Sequence, residues 1–148
     1  MRRLAPLAAV LGFATVAGPA AADIRFEGRT SQGRQVAVIA EDNGVPKRGR
    51  IRWSADCRQP GYTLRGATGF SRPLDLSTRR RFRDAGTYRT RAPNGERLTV
   101  FARMRGRKVG PRRWVGRFGA RVVARRSGRV LDRCFVRGVR WRAVRPPR

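Results

Sequence analysis

No histidine occurs anywhere in this 148-residue chain, and cysteine occurs only twice. The absence of histidine removes the usual general base, the Ser-His-Asp and Cys-His arrangements and the commonest metal ligand. Two cysteines without histidine cannot form an ordinary structural zinc site. Together these absences exclude the familiar hydrolase triads and most metalloenzyme centres.

Acidic residues and lysine are also scarce. Nine Asp and Glu stand against 36 Lys and Arg, a formal net charge of +27, and the only lysines are Lys47 and Lys108. Such a charge attracts polyanions, namely cell-wall polymers, nucleic acid or lipid head groups. A preference for arginine over lysine is also what a GC-rich genome produces, because arginine's CGN codons are GC-rich. Two interpretations therefore stay open: a functional anion-binding surface, or compositional drift on a tolerant exterior.

The one long apolar run lies at the N-terminus. Arg2 and Arg3 precede apolar residues from Leu4 to Val16, and Ala20-Ala21-Ala22 forms a small-residue cleavage site. This order is typical of a secretory signal peptide. The run is shorter than the roughly 20 residues that a membrane-spanning helix needs. We therefore predict a helical signal peptide over 1–22, cleaved at about Ala22-Asp23. The prediction gives a secreted, periplasmic or cell-envelope location without a transmembrane anchor.

The two cysteines are Cys57 and Cys134. In an exported domain, two cysteines are most simply explained by one disulfide bond, and the alternative is two separate buried thiols. The bond would close a loop of about 78 residues, which is worth about 4.5 kcal/mol in the chain-entropy model.

Residues 23–148 have the length of a single domain. Short segments of alternating apolar and polar residues are separated by turn signals such as Asp42-Asn43-Gly44 and Pro93-Asn94-Gly95. The predicted strands are 24–30, 34–40, 45–54, 62–70, 87–91, 97–107, 113–124 and 131–144. Between them we predict a loop over 72–85, with a short edge strand at 81–83. A frayed tail is expected from about 145.

This pattern predicts an all-β fold, with no long helix after Ala22. About eight short strands favour an antiparallel β-sandwich or barrel, and an OB-like barrel is the runner-up. In the last predicted strand, Cys134 and Val136 share one parity, whereas Val139 and Trp141 take the other. Gly138 lies where the phase switches, which predicts a β-bulge.

Arginines alternate along several predicted strands and cluster in one loop. The candidate anion-binding residues are Arg48, Arg50, Arg52, Arg79, Arg80, Arg81, Arg83, Arg103, Arg105, Arg107, Arg140 and Arg142. Arg117, Arg121 and Arg125 share a parity on a further strand. If these strands are neighbours, their outward faces form a cationic sheet, and directly opposed like charges would favour bound anions. The alternative is an ordinary solvated face, on which arginine stems cover apolar surface while the charged heads reach water.

Catalysis would have to rest on carboxylates alone, as in glycosidases. The candidates are Glu27, Glu41, Asp42, Asp56, Asp75, Asp84, Glu96 and Asp132. Arginines surround all of them, which lowers a carboxyl pKa and opposes general-acid catalysis. Glu41-Asp42-Asn43-Gly44 lacks the spaced ligands of an EF-hand and is interpreted as a hairpin turn. No phosphate-binding glycine motif is present. We expect no metal and no cofactor.

Four aromatic residues have two interpretations. Trp53, Trp114, Phe118 and Trp141 would stack on bases or sugars if they were exposed. Their positions on alternating strands favour the protein core instead.

Two motifs carry a resemblance that spans the chain loosely. Phe26-Glu27-Gly28-Arg29-Thr30-Ser31-Gln32-Gly33 is followed, late in the chain, by Cys134, Gly138 and Trp141-Arg142-Ala143. These features resemble a group of small bacterial exported domains with an early T-S-Q-G turn and a late Cys…Gly…W-x-A strand. The resemblance implies an exported β-domain with one disulfide bond, and it implies no activity.

Three functions are compatible with the sequence. The leading hypothesis is a secreted, non-enzymatic β-domain that binds anionic polymers at the cell envelope through arginine-rich strand faces. The alternative is an exported nucleic-acid-binding OB-like domain. The third is a carboxylate-based hydrolase, which requires two carboxylates about 5–10 Å apart in one cleft.

Overall fold

The computed structural model describes residues 22–71, 75–78 and 80–147, the side chains of 75–78 excepted. The predicted signal peptide lies outside the described residues except for Ala22, so it stays a prediction. Nine strands are present in the described part of the chain: β1 (Ile24–Thr30), β2 (Gln35–Ala40), β3 (Pro46–Cys57), β4 (Thr63–Ser71), β5 (Asp75–Thr78), β6 (Arg81–Arg91), β7 (Arg97–Lys108), β8 (Arg113–Arg126) and β9 (Arg129–Val144).

All nine strands belong to one sheet with the order β4-β3-β2-β1-β9-β8-β7-β6-β5, and every pair is antiparallel. Neighbours in this order are also neighbours in the chain, except where β1 pairs with β9. The prediction of an all-β, antiparallel fold is confirmed. Within the described ranges there is no helix long and apolar enough to cross a membrane.

The sheet curls until strands from its two halves meet. The rings of Phe70 on β4 and Phe82 on β6 stack with their centroids 5.4 Å apart. The Tyr88 hydroxyl on β6 lies 2.7 Å from the Thr68 hydroxyl on β4, and it donates a hydrogen bond to the Ala67 carbonyl at 3.0 Å. Side chains rather than a backbone ladder therefore close the gap between β4 and β6. Of the two predicted architectures, this is the barrel.

The OB-like runner-up is not the observed architecture. An OB-fold is a five-stranded Greek-key barrel, whereas these strands run up and down in chain order. The sequence pattern gives strand number and alternation but not strand order, so it does not separate the two barrels.

The interior of the barrel follows the alternation in the sequence. On β7, Leu98, Val100, Ala102 and Met104 are buried while the residues between them face outward. The three tryptophans are also core residues, with Trp53, Trp114 and Trp141 at most 3% exposed. The prediction that these rings fill the core is confirmed, and a base-stacking role for them is excluded by their burial.

Gly116 makes room for one of these indoles. A Cβ atom at this position would lie 2.5 Å from the Trp141 ring and would collide with a backbone carbonyl of β7. Real Cβ atoms essentially never approach so closely, so the packing of Trp141 against β8 requires glycine here.

The predicted β-bulge is present on β9. The register with β8 shifts between Phe118 and Ala120, and Gly138 adopts a left-handed φ of 56°. Glycine takes this conformation without steric cost. The extra residue keeps both Val136 and Val139 buried although they differ in parity.

The predicted disulfide bond joins Cys57 on β3 to Cys134 on β9. The β1–β2 hairpin is shorter than its neighbours, and beyond its turn β3 pairs directly with β9 at these residues. The bond thus links the two halves of the sheet at the position where the intervening hairpin ends.

One predicted loop is wrong. The segment 81–91 is a continuous strand, β6, which pairs with β7 from Arg81↔Arg107 to Arg91↔Arg97. Asp84, Ala85 and Gly86 have low β propensity and so favour a loop interpretation. The cross-strand ladder with β7 overrides that local preference. A further short strand, β5, pairs with the start of β6.

Candidate anion-binding groove

The strand register aligns four arginines across four adjacent strands. Arg83 on β6 is opposite Arg105 on β7, Arg105 is opposite Arg117 on β8, and Arg117 is opposite Arg140 on β9. All four are exposed on the outer face of the barrel. With neighbouring strands about 4.8 Å apart, this arginine row spans about 14 Å. The sequence predicts that these residues face outward, but only the register shows that they are directly opposed.

A second, interrupted line of arginines runs beside the row. Arg81 is opposite Arg107, which is opposite Val115, and Val115 is opposite Arg142. Arg142 in turn is opposite Arg29 on β1. The outer face of β6–β9 therefore carries two parallel cationic lines, and it brings together seven of the candidate residues when Arg103 is included.

On the other side of the arginine row lies a groove of about 1420 Å³. Its floor contains small residues, Ala85, Gly119 and Gly138, and Arg103 lies between the first two in the register. Arg83, Arg105 and Arg117 from the row form one wall. The small residues on β6, β8 and β9 lie lower than the walls, and Arg103 projects from the floor on β7, where it can contact a chain-like ligand that crosses the strands.

The opposite wall is aromatic and cationic. Phe101 on β7 is opposite Arg121 on β8, which is opposite Phe135 on β9. The Arg121 guanidinium lies 4.5 Å from the Phe101 ring centroid, and Arg137 lies 5.1 Å from that of Phe135. These cation–π contacts hold two guanidinium groups over rings at the edge of the groove. Phe101 remains 37% exposed.

At one end of the row, Arg83 lies opposite Asp75 on β5 in the register. No acidic side chain that the structure describes pairs with Arg105, Arg117 or Arg140. Ion pairs in the described part of the chain include those of Arg25, Lys47, Arg48 and Arg126. Acidic residues are also unevenly distributed along the chain. The stretch from Arg97 onward, which forms β7–β9, contains half of the 36 basic residues but only one of the nine acidic residues, Asp132. A bias toward arginine codons accounts for the scarcity of lysine, but it does not account for this separation of acids from bases.

The predicted arginine stripe on β3 is separate from the row. Arg48, Arg50 and Arg52 are exposed, but the residues opposite them are small or uncharged, such as Ala37 and Gly69 beside Arg50. Arg50 and Arg52 line a smaller groove of about 480 Å³, which also contains Glu27. Not every predicted arginine strand therefore joins a single cationic sheet, because β1 and β2 stand between β3 and β9.

The structure describes only part of the predicted arginine cluster at 79–83. Arg79 lies outside the described residues, and Arg80 precedes β6, where its carbonyl accepts a hydrogen bond from the Lys108 amide at 2.8 Å. Arg81 and Arg83 are strand residues, as the predicted edge strand at 81–83 has them. Their side chains are consequently directed by the sheet.

Neither of the two grooves brings together two carboxylates among the described residues that line it. Among the described residues that line the two grooves, the larger contains one carboxylate, Asp84, and the smaller contains one, Glu27. Asp84 shares the inward parity of Phe82 and Tyr88 and is partly buried. Burial raises the pKa of Asp84 above its ordinary value, and a hydrogen bond with the backbone of Ala85 opposes the shift.

Residues 41–44, which are predicted to form a hairpin turn rather than a calcium loop, do form a hairpin turn. The Gly44 amide donates to the Glu41 carbonyl at 2.9 Å, and the Val45 amide donates to the Asn43 side chain at 2.8 Å. Gly44 has a φ of 81°, as the predicted tight turn demands. The one cluster of metal-ligand types in the described residues is Cys57, Asp132 and Cys134, and its two sulfurs are already bonded to each other.

Comparison with known proteins gives no relative for this chain: no family model matches it, and no match is found among curated proteins or solved structures.

Proposed function

We propose that this protein is a secreted, non-enzymatic binding module that holds anionic polymers in the groove on the outer face of β6–β9. The observation that carries the proposal is the arginine row. Arg83, Arg105, Arg117 and Arg140 are directly opposed in register, and no described acidic side chain pairs with Arg105, Arg117 or Arg140. Like charges directly opposed on a sheet destabilise it, so a bound anion would relieve a strain already present in the fold.

Guanidinium groups suit this ligand class. Their planar fork donates paired hydrogen bonds to phosphate, sulfate or carboxylate oxygens. The groove crosses four strands, so a polymer would contact several arginines in succession. The disulfide bond is compatible with an extracellular or periplasmic location, where such bonds persist. Cell-wall polymers and other polyanions of the envelope are the expected ligands.

The test compares two variants with the same loss of charge. Arg105→Gln/Arg117→Gln removes the centre of the row, and Arg50→Gln/Arg52→Gln removes two exposed arginines from the separate β3 stripe. Heparin serves as the probe, and its affinity is measured by calorimetry between 0.05 and 0.3 M salt. We expect the row variant to bind at least tenfold more weakly. Its slope of log K against log salt should fall by about 2, one for each lost ionic contact.

The β3 variant should keep most of the affinity and slope of the parent protein. Equal losses in the two variants would mean that binding reflects total charge, and the proposed site would be wrong. Failure of the parent protein to bind heparin, DNA or cell-wall polymer at low salt would leave the arginines as genome bias.

The aromatic wall favours a second candidate function, binding of single-stranded nucleic acid. Phe101 is exposed beside Arg121 in the same groove, and base stacking on aromatic rings contributes about 1–3 kcal/mol per base. Phe101→Leu leaves the charge unchanged. A fivefold or greater loss of affinity for single-stranded DNA, with heparin binding unaltered, would favour this candidate. Because the tryptophans are buried, quenching of their fluorescence by stacked bases is not a suitable readout.

A further inference from the structure

Exposed large apolar side chains are concentrated at one end of the barrel. In the described residues five such side chains are exposed: Tyr62, Phe101, Val130, Leu131 and Val144. Three of them lie at the end where β3 turns into β4 and β8 turns into β9. Leu131 is the most exposed of the five at 49%, and Val130 is 40% exposed.

The two turns at this end are held side by side. The Arg58 amide donates to the Arg133 carbonyl at 3.0 Å, and the disulfide bond joins the adjacent residues Cys57 and Cys134. Leu131 is the extra residue at a register shift. Ala124 and Arg125 on β8 pair with Asp132 and Val130 on β9, and Leu131 lies between these two partners. The hairpin tip, defined as Val130 and Leu131, is therefore presented from a cross-linked base.

The charges around the hairpin tip are almost all positive. Two nearby carboxylates are already occupied. Asp132 accepts hydrogen bonds from the backbone amides of Arg58, Gln59 and Arg133 at 2.7–3.4 Å, and Glu96 lies 3.4 Å from the Arg126 guanidinium. Asp56 lies farther from the tip, on the barrel side of the disulfide bond. The surrounding arginines are Arg58, Arg97, Arg125, Arg126, Arg129 and Arg133.

From this arrangement we propose that the hairpin tip docks on an anionic phospholipid bilayer, with Val130 and Leu131 inserted among the head groups. An apolar tip with a cationic rim matches the two components of such a surface, its acyl boundary and its negative head groups. Tyr62 at the same end is a residue type that prefers the membrane interface. This surface is distinct from the groove, and the proposal does not depend on the polymer-binding function.

The test uses the protein with phosphatidylglycerol and phosphatidylcholine vesicles at 0.15 M salt. Val130→Thr/Leu131→Asn removes the apolar tip without changing charge. Val144→Thr is the matched control, because Val144 is 42% exposed at the opposite end of the same strand. We expect binding to phosphatidylglycerol vesicles but not to phosphatidylcholine vesicles. The tip variant should bind at least tenfold more weakly, while its heparin affinity and the vesicle binding of the control stay unchanged.

Three outcomes would overturn the proposal. One is that the parent protein does not bind anionic vesicles, and another is that the tip variant binds them as well as the parent does. The third is that only Arg105→Gln/Arg117→Gln weakens vesicle binding, which would assign the lipid to the groove. Circular dichroism and the melting temperature check that the tip variant is folded. If it is not, Leu131→Ser alone is used, and less than a threefold loss of vesicle affinity then contradicts the proposal.

Discussion

Replacing Arg117 by glutamine should make the protein more stable and its anion binding weaker at the same time. Arg117 is opposite Arg105 on one side and Arg140 on the other, so its removal relieves two like-charge pairs. Directly opposed like charges are destabilising. At about 0.2–1 kcal/mol for an exposed charge pair, relief of two such pairs gives a stabilisation of about 1 kcal/mol. For a domain of this size the melting temperature should rise by about 3–5 °C.

A polyanion should reverse the order of stability of the parent protein and the Arg117→Gln variant. Ligand at 100 times its dissociation constant stabilises the parent by about 2.7 kcal/mol, whereas a tenfold weaker complex gains only about 1.4 kcal/mol. This difference of about 1.3 kcal/mol matches or exceeds the stability that Arg117→Gln contributes without ligand. Differential scanning calorimetry with increasing polyphosphate should therefore show the two melting temperatures converging and then crossing.

The control for this experiment is Arg50→Gln. Arg50 is opposite Ala37 and Gly69, so the substitution removes the same charge without relieving a like-charge pair. Its melting temperature should match that of the parent protein at every polyphosphate concentration. The reasoning is refuted if Arg117→Gln is no more stable than the parent without ligand, or if both proteins gain equally from polyphosphate.

Three further substitutions test the fold. Gly116→Ala should destabilise the protein by about 2 kcal/mol or more in urea unfolding, because the added methyl collides with an indole and with backbone. Gly119→Ala, whose Cβ would meet its nearest neighbour at 3.4 Å, should cost much less, and equal losses would contradict the packing described. Replacing Cys57 and Cys134 by serine should cost about 4.5 kcal/mol, given a sequence separation of 77 residues. A loss under 1 kcal/mol would show that the bond adds little. Asp84→Asn tests pH dependence: burial raises the pKa of Asp84, so stability should fall as pH rises from the unfolded pKa to the folded one. The variant should lack that decline and melt higher than the parent at neutral pH, and a parallel pH profile would contradict this.

Much of the barrel is predictable because its determinants are local. The alternation of Leu98, Val100, Ala102 and Met104 gives the inward face of β7, and the phase switch at Gly138 gives the bulge. The disulfide bond follows from cysteine number and the expected compartment. Local β propensity around Asp84 is low and predicts a loop, and only pairing with β7 makes this segment a strand.

The candidate site depends on long-range register, which local patterns do not encode. Alternation predicts that Arg105 and Arg117 face outward. It does not show that they are opposed, because a slip of β8 by two residues preserves the alternation but places Val115 or Gly119 opposite Arg105. The contact of Tyr88 with Thr68, which closes the barrel, joins strands that are not neighbours in the sheet. The separation of acidic from basic residues along the chain was available in the sequence and would have directed attention to β7–β9.

The central claim is that anions bind at the arginine row in preference to the other exposed arginines. The most direct test follows arginine side-chain Nε–H resonances by NMR while a short polyphosphate is added. Resonances of Arg83, Arg105, Arg117 and Arg140 should shift first and saturate together, before those of Arg48, Arg50 and Arg52. Shifts of similar size and midpoint for the row and for the β3 arginines would contradict the claim and indicate an unspecific cationic surface.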